Sequence, residues 1–317
     1  MAHHHHNHEH DHHSHDAHDH SHGHAHAPTN FNFTFAVATI LNLAFCLTET
    51  VYGVFAHSMG LLADAAHNFG DVLGLLMAWG ANILLSRAAT ETYSYGYKKT
   101  TILSALANAL ILVFVSAIII YESINKLMHP VAVKEIYIII VALIGIGING
   151  GTALLFIKGS EDDINIKGAF LHLAYDALIS FGVVIAGIII LFTHWSWLDP
   201  VVGVIIVVVI LGGTMGLLRD SVNLILGAVP RGIDQKAVRD YLSGLAGVKE
   251  IHDLHIWGLS TKENALTAHI IMPEKTFTDQ EYQEINHELL HRFKINHVTL
   301  QIEKGESENP CSQAVTC

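Results

Sequence analysis

The chain has 317 residues, of which 51% are hydrophobic and only 15% charged, and its mean hydropathy is +0.39. These values are typical of proteins that cross a membrane several times and exclude an ordinary soluble protein. A formal net charge of −12 gives no support to a nucleic-acid partner, and three cysteines do not make a disulfide framework.

The first thirty residues are dominated by histidine. Residues 1–30 contain fourteen of the 25 histidines, interleaved with Asp, Asn, Glu and Ser. The segment has no apolar periodicity, so we expect a disordered leader whose imidazoles suit loose capture of metal ions. An expression tag would explain His3 to His6, but the histidines continue to His26. We therefore interpret most of the leader as native sequence that collects metal ions.

Six apolar segments follow, each close to the length of about 20 residues that a helix needs to cross a bilayer. Glycine and proline mark several of the joins between them. The predicted spans are residues 33–55, 61–85, 100–121, 136–157, 164–191 and 201–218. The pattern predicts an α-helical membrane bundle of six spans over residues 31–226.

The positions of lysine and arginine predict the orientation of the spans. Cytosolic loops carry an excess of these residues. One side of the predicted bundle has Arg87, Lys98, Lys99, Lys158, Lys167, Arg219 and Arg231, and the other has only Lys126 and Lys134. Both termini are therefore predicted to be cytosolic.

Two of the spans carry a histidine and an aspartate four positions apart, His67 with Asp71 and His172 with Asp176. On a helix this spacing returns both side chains to one face. A carboxylate in hydrocarbon costs about 2.5 kcal/mol or more, so two such pairs need a compensating partner. A shared divalent cation is one candidate, because two imidazoles and two carboxylates provide the four ligands of tetrahedral zinc and balance its charge. Hydrogen bonds between the helices are the simpler alternative.

Small residues lie close to both pairs. Gly70 and Gly74 follow the first histidine, and Ala174 and Ala177 lie beside the second pair. Small side chains allow membrane helices to approach closely. We therefore expect the second and fifth spans to pack together with the two pairs facing each other.

The composition after residue 226 is that of a soluble domain, predicted over residues 227–305, with a short tail at 306–317. An amphipathic pattern predicts helices at 233–245 and 279–293. Alternating and β-branched segments predict strands at 248–259, 265–272 and 298–303. The order α-β-β-α-β indicates a small α+β domain, ferredoxin- or metallochaperone-like, with helices on one face of an open sheet.

Two other classes of protein would also use such residues. An intramembrane metallohydrolase usually keeps a metal position open for water and places a glutamate beside a ligand, as in HExxH. Neither pair in the spans has that glutamate. A membrane-bound metal sensor or storage protein would account for the leader and the C-terminal domain, but it gives no reason for ligands inside the spans.

Three motifs in the chain resemble those of one known family. Residues 57–67 read HSMGLLADAAH and continue to Asp71, residues 172–176 read HLAYD, and residues 252–257 read HDLHIW. Together they resemble the cation diffusion facilitator family, especially its zinc-exporting bacterial members and the vertebrate vesicular zinc transporters. The resemblance extends from about residue 33 to residue 303.

The resemblance implies a zinc/proton antiporter that exports Zn²⁺, and in some members Cd²⁺ or Co²⁺, from the cytosol. It implies that His67, Asp71, His172 and Asp176 form the transport site, and that the protein is not an enzyme. It also implies a homodimer in a membrane, here expected to be the bacterial inner membrane, with zinc and protons as the transported ions and lipid as its surroundings.

The resemblance further implies a metal site in the cytosolic domain. The positions that match the family's ligands are His252, His269 and Glu303. Relatives have another histidine where this chain has Asn296, with His297 beside it, so the fourth ligand stays open. No cofactor is expected beyond bound Zn²⁺.

Overall fold

The computed structural model describes residues 33–157 and 164–305. The histidine-rich leader and the tail, with Cys311 and Cys317, lie outside the described residues. Within them, six helices are long and apolar enough to cross a membrane, which confirms the six-span prediction. They are α1 (Phe33–Ala56), α2 (Met59–Leu85), α3 (Thr100–Met128), α4 (Glu135–Phe156), α5 (Ile164–Thr193) and α6 (Leu198–Ile225).

Helices α3 and α6 continue well past their predicted ends. The sequence predicted ends at residues 121 and 218, whereas the helices run to Met128 and Ile225. The added turns contain polar and charged residues such as Lys126 and Arg219. These residues are good or neutral helix formers, so the helix continues although the hydropathy falls. Hydropathy locates the apolar part of a helix and not its end.

The C-terminal domain has the predicted α-β-β-α-β order. It comprises α7 (Gln235–Ser243), β1 (Glu250–Gly258), β2 (Asn264–Ile271), α8 (Asp279–Phe293) and β3 (His297–Glu303). Strand β2 is central, antiparallel to β1 and parallel to β3. The sheet and both helices enclose a separate apolar core that includes Val238, Leu242, Leu266, Ile270 and Leu289.

Helix α8 begins at a complete capping box. The Thr278 hydroxyl accepts a hydrogen bond from the Glu281 backbone N–H, and the Glu281 carboxylate accepts one from the Thr278 N–H. The Lys275 ammonium also donates to Glu281, and together with Thr278 it lowers the pKa of this carboxyl to about 2. The cap defines the start of α8 and holds its first turn.

Helix α2 packs against α3 and α6 along much of its length and meets α5 over a short stretch. The expectation that Gly70 and Gly74 serve the approach to α5 is wrong. A Cβ at Gly70 would lie 2.3 Å from a methyl carbon of Leu112, and one at Gly74 would lie 3.0 Å from the Asn108 side chain. Both neighbours belong to α3, so the glycines allow α3 to approach.

The start of α2 is held by a buried carboxylate from α6. Asp199 accepts hydrogen bonds from the Ser58 hydroxyl at 2.5 Å and from the backbone N–H groups of Met59 and Gly60 at 2.6 and 3.2 Å. The Ser58 oxygen in turn accepts from the Leu61 N–H at 3.1 Å. The first N–H groups of a helix have no partner within the helix, so this contact satisfies them away from water.

Gly203 permits the close contact between α2 and α6. A Cβ at this position would lie 2.9 Å from the Met59 carbonyl oxygen and 3.0 Å from its carbonyl carbon, and a backbone cannot move aside as a side chain can. We expect Gly203→Ala to destabilise the protein by about 1–3 kcal/mol, measured by thermal unfolding in detergent. Gly212→Ala on the same helix is the control, because nothing lies within 4 Å of its Cβ position. Equal stability of the two variants would contradict the packing argument.

The C-terminal domain contacts the loop between α2 and α3. Lys98 in this loop forms an ion pair with Glu263 in the turn between β1 and β2. The Thr101 hydroxyl accepts a hydrogen bond from the Thr261 N–H at 3.1 Å. These contacts connect the start of α3 to the β1–β2 hairpin.

Candidate metal centre

The structure brings the four predicted membrane ligands together in a crosswise arrangement. His67 Nε2 lies 3.0 Å from Asp176 Oδ1, and His172 Nε2 lies 3.2 Å from Asp71 Oδ2. Within each helix the histidine and aspartate are farther apart, at 4.0 Å on α2 and 3.8 Å on α5. Each histidine therefore has its nearest carboxylate on the opposite helix.

The spacing of these atoms suits a small divalent cation. Donor atoms of His67, Asp71 and Asp176 all lie within 4.8 Å of one another, and His172 contacts both aspartates. Ligands at about 2.0–2.1 Å from a tetrahedral zinc are roughly 3.3 Å apart, close to the shorter contacts found. His67, Asp71 and Asp176 therefore form a group that could hold one ion as they are placed, whereas His172 lies outside this group, although its Nε2 is within 3.8 Å of both aspartates.

The burial of the four side chains is uneven. Asp176 is fully buried, and its Oδ2 makes no hydrogen bond within the described residues. The exposed fractions are 20% for His67, 27% for Asp71 and 31% for His172. The site is therefore closed on the Asp176 side, and the other three side chains are partly exposed.

Two hydrogen-bonded pairs of buried polar side chains lie close to the site, each with a member within about one helical turn of a site residue. The Asn68 amide donates to Glu49 on α1 at 3.1 Å, and the Ser180 hydroxyl on α5 donates to Asp64 on α2 at 2.7 Å. All four side chains are buried. Ser180 was not singled out from the sequence, although it lies one turn after Asp176 and is polar within an apolar span. These contacts connect α1, α2 and α5 at the level of the site.

The three ligands predicted in the C-terminal domain also lie together. Register pairs His252 directly with His269 across β1 and β2, and Glu303 reaches them from the end of β3. The Glu303 carboxylate lies 3.0 Å from His269 Nδ1 and 3.4 Å from His252 Nε2. All three donor groups fall within 4.8 Å. We call His252, His269 and Glu303 the strand group.

One neighbour of the strand group was not predicted. Asp253 has a positive φ of 52° at an irregularity of β1, which turns its carboxylate toward the neighbouring histidines. Its oxygens lie 3.5 Å from His269 Nε2 and 2.8 Å from His255 Nε2. A carboxylate at the second nitrogen of a ligating histidine orients the ring. In a regular strand Asp253 would point to the face of the sheet opposite to His252. The strand pattern in the sequence therefore did not predict its contact with the strand group, which depends on the irregularity of β1.

Asn296 and His297 do not join the strand group. The Asn296 side chain accepts a hydrogen bond from the Asn264 N–H at 3.1 Å, at the start of β2. His297 pairs with Ala265, whereas Glu303 pairs with Ile271 at the other end of the same strand. Six residues of strand separate the two ends by about 20 Å. In the described part of the chain, the polar side chains next to the strand group include Asp253, beside His269, and Gln301, whose amide donates to Glu303 at 2.9 Å.

Comparison with known proteins agrees with this architecture. Residues 35–226 match the family described as the cation efflux transmembrane domain. The chain belongs to the cation efflux family, the cation diffusion facilitators. Residues 230–305 match the companion description, the cation efflux protein cytoplasmic domain. The resemblance seen in the three motifs is therefore confirmed over both parts of the chain.

Individual family members are similar along most of their length. The cation efflux system protein CzcD of Alcaligenes sp. is 35% identical over 279 residues, covering 88% of this chain and 87% of the relative. The cadmium, cobalt and zinc/H(+)-K(+) antiporter of Bacillus subtilis is 32% identical, covering 84% and 87%. The human proton-coupled zinc antiporter SLC30A2 is 29% identical, covering 88% and 78%. Its membership of the cation efflux family, together with the six long apolar helices in the described residues, makes this chain a multi-pass membrane protein of a transporter family.

Proposed function

We propose that this chain is a zinc/proton antiporter that exports Zn²⁺ from the cytosol through His67, Asp71, His172 and Asp176. The observation that carries the proposal is the crosswise contact of two His–Asp pairs from α2 and α5 inside a membrane bundle. The names of the relatives support zinc and protons as the transported ions, since one relative is a proton-coupled zinc antiporter and another is an antiporter of cadmium, cobalt and zinc. We expect transport and no catalytic activity.

Charge balance explains why protons are the exchange partners. Zinc binding requires neutral imidazoles and ionised carboxylates, so a proton on either ligand type competes with the metal. Two aspartates with one Zn²⁺ sum to zero charge, and so do two aspartates with two protonated histidines. An uncompensated charge in a membrane costs about 2.5 kcal/mol or more, which favours these two neutral states over an empty anionic site.

We further propose that both termini are cytosolic and that the protein functions as a homodimer in the bacterial inner membrane. The excess of lysine and arginine in the α2–α3 and α4–α5 connections supports this orientation. Zinc then enters from the side of the C-terminal domain, and rocking of α2 and α5 within the bundle exposes the site to the opposite side.

Purified protein in liposomes tests the transport proposal. A pH-sensitive dye on one side of the membrane should report proton movement when Zn²⁺ is added, and a zinc-sensitive dye should report metal movement in the opposite direction. Cd²⁺ and Co²⁺ added in parallel determine the selectivity. Zinc movement without proton movement would contradict antiport, and binding without movement of either would favour a sensor or storage protein.

We also propose that the strand group binds a second Zn²⁺. Replacing His269 should remove it, because this residue contacts Glu303 and lies opposite His252. In equilibrium dialysis of residues 230–305, which have their own apolar core, His269→Ala should lower the bound zinc by about one ion per chain at a concentration that saturates the site.

His297→Ala is the matched control for this measurement. It removes a histidine from the same sheet at the far end of β3, so binding at the strand group should not change. Full zinc binding by His269→Ala would exclude the strand group as a metal site.

A further inference from the structure

Helix α8 carries another histidine pair that the transport proposal does not use. Residues 287–291 read His-Glu-Leu-Leu-His, so His287 and His291 lie one helical turn apart. Their rings lie side by side, with centroids 4.1 Å apart and 40° between the planes. Both side chains are exposed. The pair presents two imidazoles together on the surface of the C-terminal domain.

The helix holds this pair on a rigid element. Leu289 and Phe293 are buried against the sheet, so the opposite face of α8 must point outward. The capping box at Thr278 secures the start of the helix, and a left-handed Lys294 ends it. Sites built on a well-packed helix keep their geometry better than sites on loops. The two histidines are therefore positioned before any ligand arrives.

The α8 pair is separate from the strand group. His287 borders a surface cavity of about 370 Å³ that Asn296 and His297 also line. His297 begins β3 and Glu303 ends it, so this cavity lies at the opposite end of the strand from Glu303. An ion held by the pair would share no ligand with the strand group.

The sequence HELLH also fits the HExxH pattern of zinc metalloproteases, in which the glutamate acts as a base. Here the Glu288 carboxylate lies 3.5 Å from the Arg292 guanidinium. In the part of the chain that the structure describes, the pair belongs to no group of three or more metal-binding side chains. A catalytic zinc usually has three protein ligands. The arrangement therefore supports metal binding and gives no basis for hydrolysis.

We propose that His287 and His291 together bind one borderline divalent cation, such as Zn²⁺, Co²⁺, Ni²⁺ or Cu²⁺. Imidazole suits these ions, whereas Mg²⁺ and Ca²⁺ prefer oxygen ligands. Two protein nitrogens leave the remaining coordination positions to water. The site is therefore weaker and exchanges faster than a site with four protein ligands. The pair thus provides an exchangeable metal site on the outer face of α8. This proposal does not depend on the proposed transport mechanism.

Residue-resolved footprinting tests the site in the full chain, where the many histidines of residues 1–30 would obscure a simple metal count. Diethyl pyrocarbonate modifies accessible imidazoles, and mass spectrometry of peptides reports each histidine separately. With free Zn²⁺ at about ten times the dissociation constant, modification of His287 and His291 should fall about tenfold. The same rate with and without Zn²⁺ would overturn the proposal.

Two variants distinguish a shared ion from two independent effects. Both His291→Ala and His291→Asn remove one of the two ligands and should weaken zinc binding. The Zn²⁺ concentration at which the modification of His287 falls by half should therefore rise about tenfold or more in both variants. Glu288→Gln should leave the protection unchanged. Exposed His129, in the α3–α4 loop, serves as an internal reference. Unaltered protection of His287 in both His291 variants, or its loss in Glu288→Gln, would overturn the assignment to the two histidines.

Discussion

Replacing Asp176 with asparagine is expected to abolish zinc-driven proton movement in liposomes. Asparagine keeps the shape of the side chain and can still contact His67, which lies 3.0 Å from Asp176 Oδ1. It removes one negative charge from a site that needs two to balance Zn²⁺. An uncompensated unit charge in the bilayer costs about 2.5 kcal/mol or more, on the order of a hundredfold in affinity.

The matched control for this variant is Asp220→Asn on α6. Asp220 pairs with Arg231 at 2.8 Å near the end of the helix, with 33% of its side chain exposed. Its loss should change stability little, because surface ion pairs contribute about 1 kcal/mol or less. Both variants should insert and purify normally. Zinc-coupled proton flux in Asp176→Asn equal to that of Asp220→Asn would refute the proposed transport site.

Replacing Asp199 with alanine is expected to cause the largest loss of stability. The variant leaves the Ser58 hydroxyl and the N–H groups of Met59 and Gly60 without their carboxylate acceptor in a buried region. Each buried group that loses its partner costs about 1–3 kcal/mol, so the sum is about 3 kcal/mol or more. At about 2–4 °C per kcal/mol for a domain of this size, the unfolding midpoint should fall by roughly 10 °C.

The measurement is the fraction of protein that remains monodisperse in size-exclusion chromatography after heating in detergent. Asp220→Ala provides the control, because it removes an aspartate from the same helix without exposing buried donors. Because Asp199 fastens the start of the helix that carries His67 and Asp71, we also expect reduced zinc flux. An unfolding midpoint within about 2 °C of the control would show that water or a local shift replaces the carboxylate.

Much of the membrane site could be predicted from local pattern. The helical repeat returns His67 and Asp71 to one face whatever the rest of the chain does. The cost of a carboxylate in an apolar span then indicates a cation or a partner. The neighbours of the site could not be predicted in this way. Ser180 and Asp64 are 116 positions apart in the chain, and no local pattern connects them.

In the C-terminal domain, too, local patterns predicted the secondary structure, whereas the contacts between strands could not be predicted from them. Alternation and β-branching predicted the three strands, and the resemblance to relatives indicated His252, His269 and Glu303. The register of β2 and β3 places Asn296 at the far end of the sheet from Glu303, and the irregularity in β1 places the Asp253 carboxylate beside His269. Register and bulges depend on the partner strand, so the sequence of one strand does not reveal them.

Hydropathy and helical spacing are properties of short segments, so they were enough to predict six spans, a separate C-terminal domain and two His–Asp pairs that each share one face of a helix. Local patterns could not show that each histidine meets the aspartate of the other helix, that Gly70 and Gly74 face α3, or that Asp199 holds the start of α2. These outcomes depend on how the helices pack side by side, and packing is set by shape and by buried polar contacts between residues far apart in the chain.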